Sequence, residues 1–485
     1  MNRKLIMKVQ GAIVLVEAAA MLPALILSLV YGDGDTVAML ESIGLTALIG
    51  LLMWFCSPRQ HKSHLRLKEG FIIVAGGWLL LSLCGAFPFL FSHTYPRFED
   101  AFFESVSGFT TTGASVLNDF EGFPRGVMFW RVTTHWVGGM GVLVLTLALL
   151  PKLTGRTSHL VLAESPGPSL SKLVPQTGKS AKILYRLYIA LTLAEFVSLL
   201  LCGVSPYDAA VHSLATAGTG GFSNYGASVA AFDSVAVEMV ISLFMFLFGV
   251  NFALYYRFLI GAKFKEFFRD EEFRVYLIIA LVFIALLTFF NFSFYQNVGT
   301  SLRYSIFELT STMSTTGFVT ADFTKWPAAS QMIIILAMWI GSCAGSTAGG
   351  IKVIRFTMLC KLSRRSVRAA SQPRKVEVVR IDGRAVEESI LTQVSLFAVM
   401  YFAIVLLGAF LLSLGGKYDV LTHLTASLTC VSNVGPGFGA VGPVSNFSGY
   451  GPWEKIVGSF LMLFGRLELL PMLILISRFS APHKN

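Results

Sequence analysis

Long apolar runs, parted by short polar and basic connections, recur along the whole chain. About 20 apolar residues suffice to cross the hydrocarbon core of a bilayer. By that measure the pattern predicts ten spans, at 9–31, 37–56, 70–92, 126–150, 185–204, 234–260, 275–296, 328–340 continuing past a break to 356, 391–414 and 454–478. Arg3 and Lys4 ahead of the first run and Ala18-Ala19-Ala20 within it mimic a signal peptide. The run is too long for one, and a second span follows at once, so it reads as a retained helix. Between the later spans lie four amphipathic stretches, predicting short helices at about 97–110, 206–218, 300–314 and 420–432.

Each short helix runs into a glycine turn: Thr111-Thr112-Gly113-Ala114, Thr219-Gly220-Gly221-Phe222, Thr315-Thr316-Gly317-Phe318 and Asn433-Val434-Gly435-Pro436. Aligning Gly113 with Gly317 also aligns Phe103-Glu104 with Phe307-Glu308, so the likeness extends back through the preceding helix. The second copy has His212 and the fourth Ala426 where the carboxylates stand. A repeat matched at several positions carries more weight than an isolated motif. The expected fold is an all-α polytopic membrane protein: an N-terminal two-helix hairpin (1–67), then four units of membrane helix, pore helix, filter and membrane helix in pseudo-fourfold arrangement. The units cover 68–155, 156–265, 266–370 and 371–485.

Charge sets the orientation. Of the 38 Lys and Arg residues, only Arg97, Arg125, Arg131, Arg303, Lys325, Lys417, Lys455 and Arg466 fall outside six segments, 2–8, 59–68, 152–186, 257–274, 352–384 and 478–485. The positive-inside rule then puts both termini in the cytoplasm and brings all four glycine turns in from the opposite face. That every unit runs in the same direction argues against inverted repeats.

Composition agrees. Of the 485 residues, 54% are hydrophobic and 14% charged, with mean hydropathy +0.67, which excludes a soluble domain of ordinary make-up. The net charge of +10 follows from the basic connections, so no nucleic-acid partner is expected; the partner is the lipid bilayer of the cytoplasmic (inner) membrane. Cys56, Cys84, Cys202, Cys343, Cys360 and Cys430 form no Cys-x-x-Cys pair and read as packing residues. Thr177-Gly178-Lys179-Ser180 resembles the end of a phosphate-binding loop, but Leu173 stands where its first glycine belongs. No His-Glu-x-x-His, Gly-x-Gly-x-x-Gly or nucleophile elbow is present, the histidines are dispersed, and no enzyme is expected.

A ring of backbone carbonyls can replace the hydration shell of a potassium ion, and glycine lets the backbone present them. The expected ion-binding residues are therefore Thr111, Thr112, Gly113, Thr219, Gly220, Gly221, Thr315, Thr316, Gly317, Asn433, Val434 and Gly435, holding K+ on their carbonyls. The pore helices would aim the negative ends of their dipoles at that ion. Glu104 and Glu308 lie more than two turns back from their glycines, where support of the filter by hydrogen bonding is expected. Two features lie further in. The stretch 341–350, with Gly341, Gly345, Gly349 and Gly350, is too glycine-rich for a lipid-facing helix and is expected to be a gating loop, closed at one end by Lys352. Arg466 lies about 12 residues, roughly 18 Å, into the last span. A bare arginine there costs from ~2.5 kcal/mol upward, so Arg466 is expected to face the pore as a charge barrier, with Glu468 on another face. Arg131 is placed near the outer end of its span, snorkelling or paired with an acid.

With these residues the chain resembles the TrkH/KtrB/HKT superfamily of potassium transporters, over essentially its whole length. The marks are the Thr-Thr-Gly-Ala turn, Ser432-Asn433-Val434-Gly435-Pro436-Gly437, Trp130-Arg131 with Trp136-Val137-Gly138-Gly139-Met140-Gly141, the glycine-rich break after Trp339, and Gly465-Arg466-Leu467-Glu468. The N-terminal helix pair and basic loops look more like the TrkH branch. The resemblance implies potassium-selective uptake through a channel-like pore, Gly113, Gly221, Gly317 and Gly435 as selectivity glycines, an intramembrane gate, a barrier at Arg466, and no organic cofactor. It also implies a homodimer and a cytoplasmic, TrkA-type nucleotide-binding regulatory ring. Gly220 and Asn433-Val434 depart from Thr-Thr-Gly, so weaker selectivity than that of a symmetric potassium channel is expected. The alternative is a sodium- or proton-coupled symporter, which dependence of flux on either gradient would favour.

Overall fold

A computed structural model of the chain describes residues 3–56, 67–118, 120, 122–141, 177–261, 264–372, 374, 377–469 and 471–475. Among these, everything regular is helical apart from one antiparallel hairpin, Arg380–Ile381 against Arg384–Ala385. The first helix, Arg3–Ala20, breaks at Met21 and resumes as Leu22–Tyr31, because Pro23 cannot donate to the preceding turn. It crosses Thr36–Phe55 at two glycines: a Cβ on Gly11 would lie 2.9 Å from the Gly50 carbonyl oxygen. In lipid, where hydrophobicity does not drive helices together, small residues at a crossing permit the close contact that does.

Four units follow, each pairing a long helix with a short one. The long helices are Leu67–Gly85, Thr177–Leu201, Glu271–Tyr295 and Glu388–Ser413; the short ones are Phe98–Phe109, Pro206–Gly218, Val298–Met313 and Val420–Ser432. Three of the short helices start at a side-chain cap, with Ser205, Asn297 and Asp419 accepting from the amides of Asp208, Thr300 and Thr422 at 3.1–3.2 Å. The first lacks that cap and instead carries Glu99 and Asp100 in its opening turn, where acids favour the helix dipole; Asp100 also pairs with Lys455 at 2.5 Å.

Six helices among the described residues are long and apolar enough to cross a membrane, counting Arg3–Tyr31 as one, and a bent pair makes a seventh. That pair, Val235–Phe248 and Phe252–Phe258, turns by 90°. The continuous span expected at 234–260 is thus corrected: Asn251 breaks it by accepting from the Ala253 amide at 2.9 Å and so starting a new helix. The span expected at 454–478 is corrected likewise. Its helix, Pro452–Arg466, stops where Glu468 (φ 52°) and Leu469 (φ 69°) turn left-handed. Residues 142–150 of the span expected at 126–150 lie outside the described residues, whose helix there is Arg125–Gly139.

Three glycines at or beside such breaks lie at the ends of short helices. Cβ atoms added to Gly138, Gly349 and Gly465 would collide with the carbonyl oxygens of Phe109, Ser432 and Val431, each at the foot of a short helix. In the first, third and fourth units the chain after the turn therefore breaks against the base of a pore helix, and only residues without side chains can come so near.

Candidate ion-conduction site

The four glycine turns have one backbone conformation. Thr111, Thr219, Thr315 and Asn433 are left-handed, with φ of 56°, 54°, 57° and 55°, and Gly113, Gly221, Gly317 and Gly435 follow at φ 77°, 72°, 82° and 97°. The left-handed region costs an L-residue about 1–2 kcal/mol, and only asparagine visits it with ease. What holds three threonines there is a pair of hydrogen bonds to the helix end. The amides of Thr111, Thr219, Thr315 and Asn433 donate to Gly108, Thr216, Thr312 and Cys430, while those of Thr112, Gly220, Thr316 and Val434 donate to Ser107, Ala215, Ser311 and Thr429, all at 2.9–3.4 Å. This paired pattern closes a helix by a left-handed residue.

The turns close on one another in chain order. A Cβ on Gly113 would collide with the Gly220 carbonyl oxygen, one on Gly221 with that of Thr316, and one on Gly317 with that of Val434. The circuit ends where it began, since a Cβ on Gly435 would lie 2.7 Å from the Thr112 carbonyl oxygen. Four carbonyls at one level of four equivalent turns are thus brought into a ring, with the C-terminal ends of four helices directed at it.

Behind each turn, a pore-helix side chain ties down the strand that leaves it. Glu104 accepts from the Ser115 hydroxyl at 2.9 Å, the Val116 amide at 3.0 Å and Arg131 Nε at 2.7 Å. Glu308 accepts from the amides of Thr320 and Ala321 at 2.7 and 2.9 Å. In the second unit His212 Nε2 meets the Ser223 hydroxyl at 3.0 Å, and in the fourth Thr425 Oγ1 accepts from the Phe438 amide at 3.0 Å. Ala426 has no polar side chain, and its neighbour supplies the bond instead.

Arg131 is 1% exposed, so the snorkelling arrangement is corrected in favour of the acid pair. Its Nη1 donates to the Ser223 carbonyl at 3.1 Å and its guanidinium lies 3.5 Å from the Phe222 ring. The same helix supplies His135, stacked on Phe222 with centroids 4.0 Å apart and bonded to the Gly108 carbonyl at 2.7 Å. Sequence reading passed over His135 and Thr425. For the histidine a signal existed, since it sits one turn after Arg131 within an expected membrane span.

The 341–350 loop passes directly beneath the ring. The Gly349 amide donates to the Thr315 hydroxyl at 2.8 Å. Gly341, Gly345 and Gly350 take φ of 69°, 73° and 75°, which admits the tight path. The loop is not slack, however, for its backbone is bonded on several sides. Cys343 donates to the Gly249 carbonyl, Phe252 to that of Gly345, and Ile351 and Lys352 to those of Trp339 and Ile340, at 2.9–3.1 Å. Glu272 accepts from the amides of Ala344 and Ile354 at 2.6 and 3.2 Å, and Lys352 Nζ donates to the Ala348 carbonyl.

Arg466 joins this loop to the first unit. It donates to the Thr347 carbonyl at 2.7 Å and to those of Gly138 and Gly139 at 2.6 Å each. Its charge therefore caps backbone oxygens at two helix breaks. Glu468 faces elsewhere and pairs with Arg355.

A bundle of membrane-length helices around a closed ring of backbone carbonyls has the build of a membrane transport protein. Residues 36–482 match the family model described as TrkH, cation transport protein. The chain is 35% identical, over 98% of both sequences, to the Trk system potassium uptake protein TrkH of Salmonella typhimurium. It is 34% identical, over 97% of this chain and 96% of the other, to TrkG of Escherichia coli K12, which bears the same system name. Its fold matches the crystal structure of the potassium transporter TrkH from Vibrio parahaemolyticus with a TM-score of 0.89 and 30% identity, covering 98% of this chain and 99% of that one. The chain belongs to the TrkH family of cation transport proteins.

Proposed function

We propose that this protein takes up potassium across the cytoplasmic membrane by conducting it through the ring of four glycine turns, with the 341–350 loop as gate. The observation that carries the reading is the circuit in which the glycine of each turn abuts a carbonyl of the next. Such a ring can exchange carbonyl oxygens for the water around a cation of matching size. The potassium named in its relatives' titles supports that choice of cation. The loop serves as gate because it bonds to Thr315 on one side and to Arg466 on the other, lying across the path below the ring. Regulation by a cytoplasmic nucleotide-binding ring on a homodimer is in keeping with this arrangement, since the helix that follows the loop, Val353–Ser371, reaches the cytoplasmic hairpin through Lys361 and the Arg380 carbonyl at 2.7 Å.

Potassium flux into liposomes loaded with the purified protein tests the reading. Flux down a potassium gradient, undiminished when sodium and proton gradients are collapsed, is expected. Flux that stops with either gradient would establish the coupled symporter instead.

A further inference from the structure

In three of the four turns a side chain fills the second position; in the other it is absent. Thr112 and Thr316 each bond by hydroxyl to a hydroxyl two residues earlier, Thr110 at 2.8 Å and Ser314 at 2.7 Å, and the fourth turn carries Ser432 and Val434 at these places. The second turn has Gly218 and Gly220. Gly220 is not left-handed, so its backbone would accept a side chain. What excludes one is His135: a Cβ on Gly220 would run into the imidazole ring, whose Cγ, Cδ2 and Nδ1 are the three atoms nearest to it.

His135 belongs to the first unit, on Arg125–Gly139, yet it fills the gap in the second. Its Nδ1 must donate, since its partner at 2.7 Å is the Gly108 carbonyl of the first pore helix. Arg131, one turn earlier, reaches the same turn from above through Phe222 and the Ser223 carbonyl, and it is anchored to the first unit by Glu104. Ring, guanidinium and glycine pair together stand where the first and third turns have a local hydroxyl bond, and supply a contact across the unit boundary instead.

We propose that His135, supported by Arg131, is a selectivity-determining positioning residue, setting the place of the Gly220 carbonyl in the ring from a neighbouring unit. The inference rests on the reading of the four turns as the selectivity element. It also gives a physical reason for the departure of the second turn from the Thr-Thr-Gly form: the glycine and the histidine are one feature.

The test is a double-mutant cycle on full-length protein in liposomes, reading the potassium-to-sodium permeability ratio of Gly220→Thr, His135→Ala and the two combined. Each single variant is expected to lower the ratio by about tenfold, and the double to return to within about threefold of the unsubstituted protein, as strongly coupled neighbours do. A double variant no better than Gly220→Thr alone, or singles with an unchanged ratio, would overturn the proposal. Should Gly220→Thr prevent folding, recovery of a monodisperse protein in the double supports the pairing, and its continued failure to fold overturns it. Gly317→Ser serves as control: if it leaves the ratio unchanged, the ring reading has failed; if it lowers the ratio while His135→Ala does not, only the histidine's role has.

Discussion

The side-chain amide of Asn433 donates to the hydroxyl of Thr112 at 2.9 Å, across 321 positions of sequence. This bond joins the last turn to the first and closes the ring laterally. Asn433 Nδ2 also reaches the Met462 carbonyl at 3.0 Å, which holds the amide in place. Asparagine is also the residue that tolerates the left-handed conformation best, so the seam is made by the least strained of the four turns.

Replacing Asn433 by alanine should open that seam. The change leaves the buried Thr112 hydroxyl without this donor and removes the local preference for φ near 55°. A loss of about 1–3 kcal/mol at the ring is expected. The potassium-to-sodium permeability ratio in liposomes should fall by about tenfold, as it should for Gly113→Ser, whose Cβ would collide with the Gly220 carbonyl. A ratio unchanged in both variants would remove the turns from selectivity.

Arg131 and Glu104 should matter as a pair more than singly. Both side chains are buried, so Arg131→Ala strands a carboxylate with only neutral donors, at a cost of about 3–5 kcal/mol. Arg131→Met combined with Glu104→Gln removes both charges while keeping bulk, and should unfold at a clearly higher temperature than Arg131→Ala. Thermal unfolding in detergent would decide, and equal melting of the two variants would refute a charge-pair role.

Arg466→Ala should raise cation flux while leaving selectivity intact, because the freed carbonyls at Thr347, Gly138 and Gly139 lie below the ring. Arg466→Lys should fall between the two, since an ammonium lacks the planar fork that reaches separated carbonyls together. Flux assays on all three proteins provide the check; a loss of flux in Arg466→Ala would show the bonds to be needed for an intact path.

Glu272→Ala should loosen the loop from the side away from the ring. It leaves the amides of Ala344 and Ile354 without their acceptor, at about 1–3 kcal/mol each. Hydrogen exchange over 341–354 should quicken by about tenfold or more, with exchange at Thr111 to Gly113 unaffected. Uniform quickening across both segments would mean that the variant had loosened the whole protein.

Much of this architecture follows from local chemistry and is legible along the chain. The spans follow from the energetic need to cover apolar helices with lipid or protein, and the short helices from caps such as Ser205 and Asp419. The equivalence of the first and third turns shows in the register of Glu104 with Glu308. The breaks in 234–260 and 454–478 leave no mark in hydropathy, which measures apolar character and not continuity; Asn251, Glu468 and Leu469 act through backbone angles and caps that a span average ignores. Other features belong to tertiary structure alone. The order in which the turns close, the hold of Arg466 on three carbonyls and the place of His135 against Gly220 all depend on separate segments arriving at one point. Helix, cap and turn are settled among near neighbours, so each turn with its short helix can be read along the chain. What one unit borrows from the next depends on contacts between residues that the chain keeps far apart, and these appear only once the helices have packed.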